Sequence, residues 1–219
     1  MNMFDFAKAR ETMLDSQIRT NDVTDKAIQA AFRHVPRECF VPKSKTALAY
    51  GDANVDLGEG RFMLRPRDFS KMIEAADIAP TDIVLDIACG RGYSVAILAE
   101  LAETVVALED TDERATQASS LLERCQVTNA AVVRGDLKVG AAEHGPFDVI
   151  MAGGALADIP ASWFEQLADG GRLVCAVTEG PVSRVKVFTK VGDRIGERIV
   201  FDANIPVLPG FETKQEFVL

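Results

Sequence analysis

Two carboxylates and a pair of glycines are spaced so that a single ligand could meet them all. Asp86, Gly90 and Gly92 fall within the run IVLDIACGRGY over residues 83–93, and Glu109 closes the next apolar run twenty-three residues after Asp86. Glycines there let the backbone approach a ligand closely, and a carboxylate ending the next strand can accept hydrogen bonds from ribose hydroxyls. That combination suits a nucleoside-bearing cofactor. The dinucleotide fingerprint G-x-G-x-x-G is incomplete, because Tyr93, Ser94 and Val95 follow Gly92. An acid ahead of the glycines repels a pyrophosphate but can receive an ammonium group. The pattern D-x-A-C-G-x-G therefore favours S-adenosylmethionine, which carries an ammonium and no phosphate, over NAD. The plainer alternative is that Gly90 and Gly92 only make a tight strand-to-helix turn.

The elements that must position these groups follow from periodicity. From residue 83 onward, apolar runs at 83–88, 104–109, 130–136, 147–153 and 172–177 alternate with helical stretches at 93–102 and from 110 to Cys125, and with a short helix opened by Pro160 and bearing Trp163, Phe164 and Leu167. Strands apolar on both faces and separated by helices imply a parallel sheet covered on each side. Asp110 and Glu113 are placed for a capping box. The tail alternates over 184–190 and 198–201 around Gly192 and Asp193, which predicts two antiparallel strands at a sheet edge. The expected fold is α/β: a Rossmann-like, class I methyltransferase plan of seven strands with helices on both faces and a terminal antiparallel pair.

Ahead of this core, helices are expected over residues 3–19, with Phe6, Met13, Leu14 and Ile18 on the apolar face, and over 25–34, capped by Thr24 with Val23 stapled onto Ile28. Residues 43–64 show no sustained period and read as a long irregular loop, usually a functional feature in a compact domain. Pro66 opens a further helix carrying Phe69, Met72, Ile73 and Ala76. Residues 1–80 are thus expected to be an N-terminal helical and substrate-loop subdomain and 81–219 the cofactor-binding core.

Composition narrows the partners. At 219 residues, 47% hydrophobic and 26% charged, the chain is ordinary for a globular protein, and no apolar run approaches the roughly 20 residues of a membrane helix. The N-terminus lacks a secretory layout, so a cytoplasmic location is expected. A formal charge of −9 argues against nucleic acid. The cysteines at 39, 89, 125 and 175 form no C-x-x-C pair and His34 and His144 are isolated, so no metal is expected. Cys125 and Cys175 read as small core residues, and Cys89 as packing ahead of redox chemistry.

Several segments together resemble the protein-L-isoaspartate O-methyltransferase family. They are Met13, Gln17 and Ile18, the run VPRECFVP at 35–42, AYGD at 49–52, Gly92 with Tyr93, Gly135 with Asp136, FDVI at 147–150, Ile159 with Pro160, and QLADGGRLV at 166–174. The resemblance implies a cofactor laid across the C-terminal ends of the first strands. Asp86, Gly90 and Gly92 match the loop that holds its methionine moiety, Glu109 the ribose-binding acid, and Asp136 after Gly135 the acid near its adenine amino group, with Ala88, Cys89, Tyr93 and Asp110 as further expected cofactor-binding residues. Asp136 can also be read as a surface turn residue.

The substrate segment departs from that family. After Gly58 and Gly60, where the family carries a Gln-Thr-Ile-Ser-Gln-Pro run, this chain reads RFMLRP over 61–66, so Phe62 stands in place of the threonine and Leu64 in place of the serine. Both hydroxyls are gone, which touches acceptor choice and leaves cofactor binding intact. Arg61, Arg65 and Arg67 crowd the same stretch and could hold a substrate carboxylate, or be solvated or paired with Glu59 and Asp68. Substrate-segment candidates are therefore Arg61, Phe62, Leu64 and Arg65. The resemblance implies methyl transfer to a carboxylate, isoaspartyl in proteins or peptides if the family's function is retained, with S-adenosylhomocysteine as coproduct. Other acceptors, or a cofactor-binding paralogue without catalysis, remain open, as does the oligomeric state.

Overall fold

Runs rich in Val, Ile, Leu and Ala, apolar on both faces, become the parallel strands of a central sheet. The computed structural model describes residues 5–180 and 182–213. Strands β3 (Ile83–Ile87), β4 (Thr104–Glu109), β5 (Ala130–Arg134), β6 (Phe147–Leu156), β7 (Leu167–Glu179), β8 (Val182–Val191) and β9 (Arg194–Ala203) lie in the order β5-β4-β3-β6-β7-β8-β9. The first five are parallel, whereas β7–β8 and β8–β9 pair antiparallel. The seven strands and terminal antiparallel pair agree with the sequence pattern. The fourth to seventh strands of the sheet, β6 to β9, run longer than their apolar or alternating centres, because ladder pairing continues past them.

The chain leaves β3 to build β4 and β5 on one side, then returns to build β6 on the other. A crevice therefore opens at the C-terminal end of β3, the switch point where open α/β sheets take ligands. Helices α4 (Tyr93–Ala99), α5 (Asp112–Arg124) and α6 (Ala161–Glu165) join these strands. Helix α4 is shorter than expected. The capping box gives way to Thr111, whose hydroxyl accepts from the Arg114 amide at 3.3 Å, because Asp110 is drawn to arginines instead.

Before the sheet come α1 (Phe6–Met13), α2 (Lys26–His34) and α3 (Pro66–Ala76). The first expected helix is interrupted: α1 passes into a widened turn at Leu14–Ile18 and a tight one at Arg19–Asn21. Thr12, Ser16 and Thr20 each donate back to the carbonyl four residues earlier, a bond that bends helices. Helix α2 is capped by Asp25 and not Thr24, the carboxylate accepting from the amides of Ala27 and Ile28. The stretch read as irregular holds a short 3-10 turn at Lys43–Leu48 and a hairpin of β1 (Val55–Gly58) and β2 (Arg61–Met63). Such short strands leave too little alternation to be seen as a period.

One buried cluster runs from Met13, Phe32 and Phe40 through Phe69 and Tyr93 to Val149 and Val185. At its centre the rings of Phe32, Phe40 and Phe69 surround Tyr93 at 5.8–6.4 Å. The helices before the sheet thus pack directly onto the element that follows the glycine loop. Cys175 is buried as expected, whereas Cys125 is partly exposed beside the Cys39 thiol.

Candidate active site

The glycine loop is shaped by three left-handed residues. Ala88, Gly90 and Gly92 have φ of +61°, +62° and +89°. The turn this makes brings β3 to α4 and leaves no room elsewhere: a Cβ on Gly153, at the end of β6, would lie 2.3 Å from the Ala88 carbonyl oxygen. Cys89 is buried and burial pushes its thiol well up, so it stays protonated and packs.

Asp86, near the C-terminal end of β3, lies beside this turn and is 2% exposed. Burial raises its carboxyl to about 7, against the opposing hydrogen bond that Ser94 Oγ donates and with added repulsion from Glu109. It has no cationic partner among the described residues. A buried acid left in this state is suited to a cation.

Glu109 is fully buried at the end of β4. Its Oε1 accepts from the Gly90 amide at 2.7 Å and its Oε2 from the Asp110 amide at 3.3 Å. The Arg61 guanidinium takes the remaining positions, Nε at 3.1 Å and NH2 at 3.0 Å, and also reaches Asp110 at 3.0 Å. Asp110 is itself held below the usual carboxylate range: burial opposes this, but Arg61 and Arg114 outweigh it.

The arginines expected to meet a substrate anion are therefore committed elsewhere. Arg61 is only 3% exposed and closes the β1–β2 hairpin onto Glu109. Arg65 and Arg67 both turn to the buried Asp68, and Arg67 Nε also donates to Asn21 at 3.0 Å. Glu59 pairs with Arg114 at 2.6 Å. The paired reading is the one realised, because each guanidinium has a carboxylate within its own segment or directly across the crevice.

Phe62 and Leu64 do meet the site, as walls. A narrow chamber is lined by Leu57, Phe62, Met63, Leu64, Phe69 and Met72 on one side and by Asp86, the glycine loop, Ser94 and Met151 on the other. Leu64 is fixed there by the buried Arg37, which donates to its carbonyl at 2.6 Å and to that of Ala49 at 2.6 Å, and stacks 4.7 Å from the Tyr93 ring centre. Gly135 and Asp136 lie apart, in an open groove with Leu137, Lys138, Pro209 and Phe211. Asp136 caps its own turn, accepting from the Lys138 amide at 2.8 Å. Between chamber and groove stands the hairpin tip, where a Cβ on Gly60 would meet Pro209 at 2.2 Å.

Sequence reasoning passed over Ser94, Arg91 and the end of β6. Ser94 lies eight positions from Asp86 and faces it only through the turn. Gly153 and Gly154, after an apolar strand, were the visible signal for a close approach there.

This sheet order, with its antiparallel end and a glycine loop at the switch point, defines a class I methyltransferase. The relatives say which kind. The chain belongs to the protein-L-isoaspartate(D-aspartate) O-methyltransferase family, whose model it matches over residues 8–205, and by that family it is an S-adenosylmethionine-dependent O-methyltransferase. It is 36% identical over 205 residues to the protein-L-isoaspartate O-methyltransferase of Koribacter versatilis, covering 94% of this chain and 92% of that protein. It is 39% identical over 170 residues to that of Methanoculleus marisnigri, covering 78% and 77%. A solved protein-L-isoaspartate O-methyltransferase superposes with a TM-score of 0.81 at 25% identity, over 92% of this chain and 66% of that one. At 18% identity, a Plasmodium falciparum structure in complex with S-adenosyl-L-homocysteine shares the fold, with a TM-score of 0.78 over 94% and 99%.

The residues present fit that cofactor. Asp86 is a buried acid lacking a cation, and the cofactor's amino group is a cation. Glu109 offers a ribose two acceptor oxygens, with one reservation of geometry: a carboxylate has about four acceptor positions, and Arg61 with two amides already fills them. Ribose hydroxyls can bind Glu109 only where Arg61 gives way.

Proposed function

We propose that this chain transfers a methyl group from S-adenosylmethionine to a carboxylate, with isoaspartyl residues of proteins or peptides as the acceptor class, and so takes part in protein repair in the cytoplasm. The observation that carries this reading is the shared chamber. The segment at the family's substrate motif, Phe62 to Leu64, forms one wall, and Asp86 with the glycine loop forms the other. In the proposed site Asp86 receives the cofactor's ammonium, Ala88, Cys89, Gly90, Gly92 and Tyr93 shape the methionine end, Glu109 and Asp110 serve the ribose, and Gly135 with Asp136 the adenine.

When bound, the cofactor would supply a methyl group already activated on a sulfonium, for in-line transfer to the acceptor oxygen with the neutral thioether as leaving group. What remains for the chain is to align the acceptor and exclude water. A carboxylate is ionised near neutral pH and needs no general base. The chamber is consistent with that economy: His34 and His144 are paired with surface glutamates instead of lining it.

An assay with an isoaspartyl peptide and a labelled methyl donor tests the reading. Transfer to that peptide, and none to its aspartyl counterpart, is the expected result; no transfer at high enzyme concentration would reject the acceptor class. Phe62→Thr combined with Leu64→Ser should raise kcat/KM about 10- to 100-fold, the worth of one or two recovered hydrogen bonds at roughly 1–3 kcal/mol each.

A further inference from the structure

One cation in the crevice has nothing to pair with. Arg91, between the two glycines of the loop, lines both the apolar chamber and the adjoining groove formed by Glu59, Arg61, Glu113, Arg114 and Gln117. Its Nε is buried and lacks a hydrogen-bond partner, and no ion pair reaches its guanidinium among the described residues. Of the acids around it, Glu59 is taken by Arg114, Glu109 by Arg61, and Asp86 accepts from Ser94, while Glu113, exposed on the rim of the groove, makes no ion pair with Arg91 among the described residues. Burial alone accordingly pulls its guanidinium below the ordinary arginine value.

A buried unpaired donor is rare enough in folded proteins to need a reason. Of the three arginines that the sequence makes conspicuous, Arg65 and Arg67 are neutralised by Asp68 in their own segment and Arg61 by Glu109 and Asp110 across the crevice, and this inconspicuous fourth one is left over. Its neighbours in the chamber are mostly apolar, with Asp86, Ser94, Cys89 and Tyr93 the polar exceptions, so an anion reaching Arg91 would be held in surroundings where water competes poorly. A guanidinium fork matches a carboxylate with two parallel bonds. Asp86, unpaired with any cation, lines the same chamber. An unpaired acid and an unpaired base lining one chamber are complementary to an amino acid zwitterion.

We propose that Arg91 is the carboxylate-binding residue of this crevice. The carboxylate has two possible sources, the amino acid end of the cofactor and the acceptor itself. The inference rests on the cofactor crevice proposed above, so the test begins with that crevice.

Calorimetric titration of S-adenosylhomocysteine, and of its decarboxylated analogue, into the wild type, Arg91→Gln and Arg91→Lys separates the cases. Failure of the wild type to bind S-adenosylhomocysteine would overturn the crevice and this inference with it. If the wild type binds, a loss of about 10- to 100-fold in Arg91→Gln, absent for the decarboxylated analogue and partly rescued in Arg91→Lys, assigns the cofactor's carboxylate. Equal S-adenosylhomocysteine affinity with a KM for isoaspartyl peptide raised about tenfold or more assigns the acceptor's. Unchanged affinity and unchanged KM would overturn the proposal. So would a Tm that falls in Arg91→Gln with both ligands weakened alike, since that marks a merely structural arginine. The expected Tm is at or above that of the wild type, because the variant removes an unsatisfied buried donor.

Discussion

Asp86 shows how one side chain can tie stability, pH and ligand binding together. Its carboxyl titrates near 7 in the fold against 3.8 ordinarily, because burial disfavours the charge. Between those values the folded chain holds a proton that the unfolded chain has lost, so stability falls as pH rises from about 4 through 7 and stays reduced above. The loss is on the order of a few kcal/mol, at roughly 1.4 kcal/mol per unit. Asp86→Asn should remove that slope and be more stable than the wild type at pH 8, as read from denaturant melts at pH 5 and pH 8. An ammonium placed against Asp86 favours the ionised form. Binding of S-adenosylhomocysteine near pH 6 should therefore release a proton, giving an enthalpy that varies with buffer ionisation. Asp86→Asn should abolish the variation and weaken binding; a buffer-independent enthalpy in the wild type would put the ammonium elsewhere.

At the level of elements, the β1–β2 hairpin decides whether the crevice is open. It is held down by Arg61 on Glu109 and Asp110, by Glu59 on Arg114, and by Leu57 against the glycine loop, where a Cβ on Gly90 would lie 3.0 Å from its Cδ1. With Glu109 in its proposed ribose-binding role, Arg61 and the ribose would need the same oxygens, so binding and this latch would compete. Amide exchange over residues 55–63 should accelerate when S-adenosylhomocysteine is added. Arg61→Ala should bind it more tightly, while melting lower in its absence: breaking a buried ion pair from one side costs about 3–5 kcal/mol. Slower exchange on binding, or weaker binding by Arg61→Ala, would make Arg61 a ligand contact instead of a latch.

Taken whole, the molecule ties its N-terminal helices to its sheet through aromatic packing. Phe32 of α2, Phe40 and Phe69 of α3 close around Tyr93 of α4, which directly follows the glycine loop. Phe32 is fully buried, so Phe32→Ala should cost about 3–5 kcal/mol through lost burial and the cavity left behind. Phe32 belongs to the cluster that joins the N-terminal helices to the sheet and Trp163 to the second buried cluster of the sheet, so in a single cooperative unit that loss should lower one transition followed equally by helical circular dichroism and by Trp163 fluorescence. Two separated transitions would instead make the first 80 residues an independent unit.

The alternation of apolar runs and helices was enough to specify seven strands, their parallel and antiparallel parts, and the glycine loop with Asp86 and Glu109 at the strand ends. These are local patterns of period two, period 3.6 and turn residues, and neighbours in sequence reveal them. Which charges meet was legible only in part. Asp68 stands beside Arg65 and Arg67 in the sequence as a possible partner, and it pairs with both; that Arg61 meets Glu109 and Asp110 while Arg91 meets no carboxylate depends on which acid the folded hairpin brings across the crevice. The cap at Asp25 in place of Thr24 and the interrupted first helix were missed for the same reason on a smaller scale, since neighbouring polar side chains compete for the same backbone groups. Sequence sets the periodicity that builds the sheet; only closure of the chain in three dimensions sets the distances on which electrostatics depends.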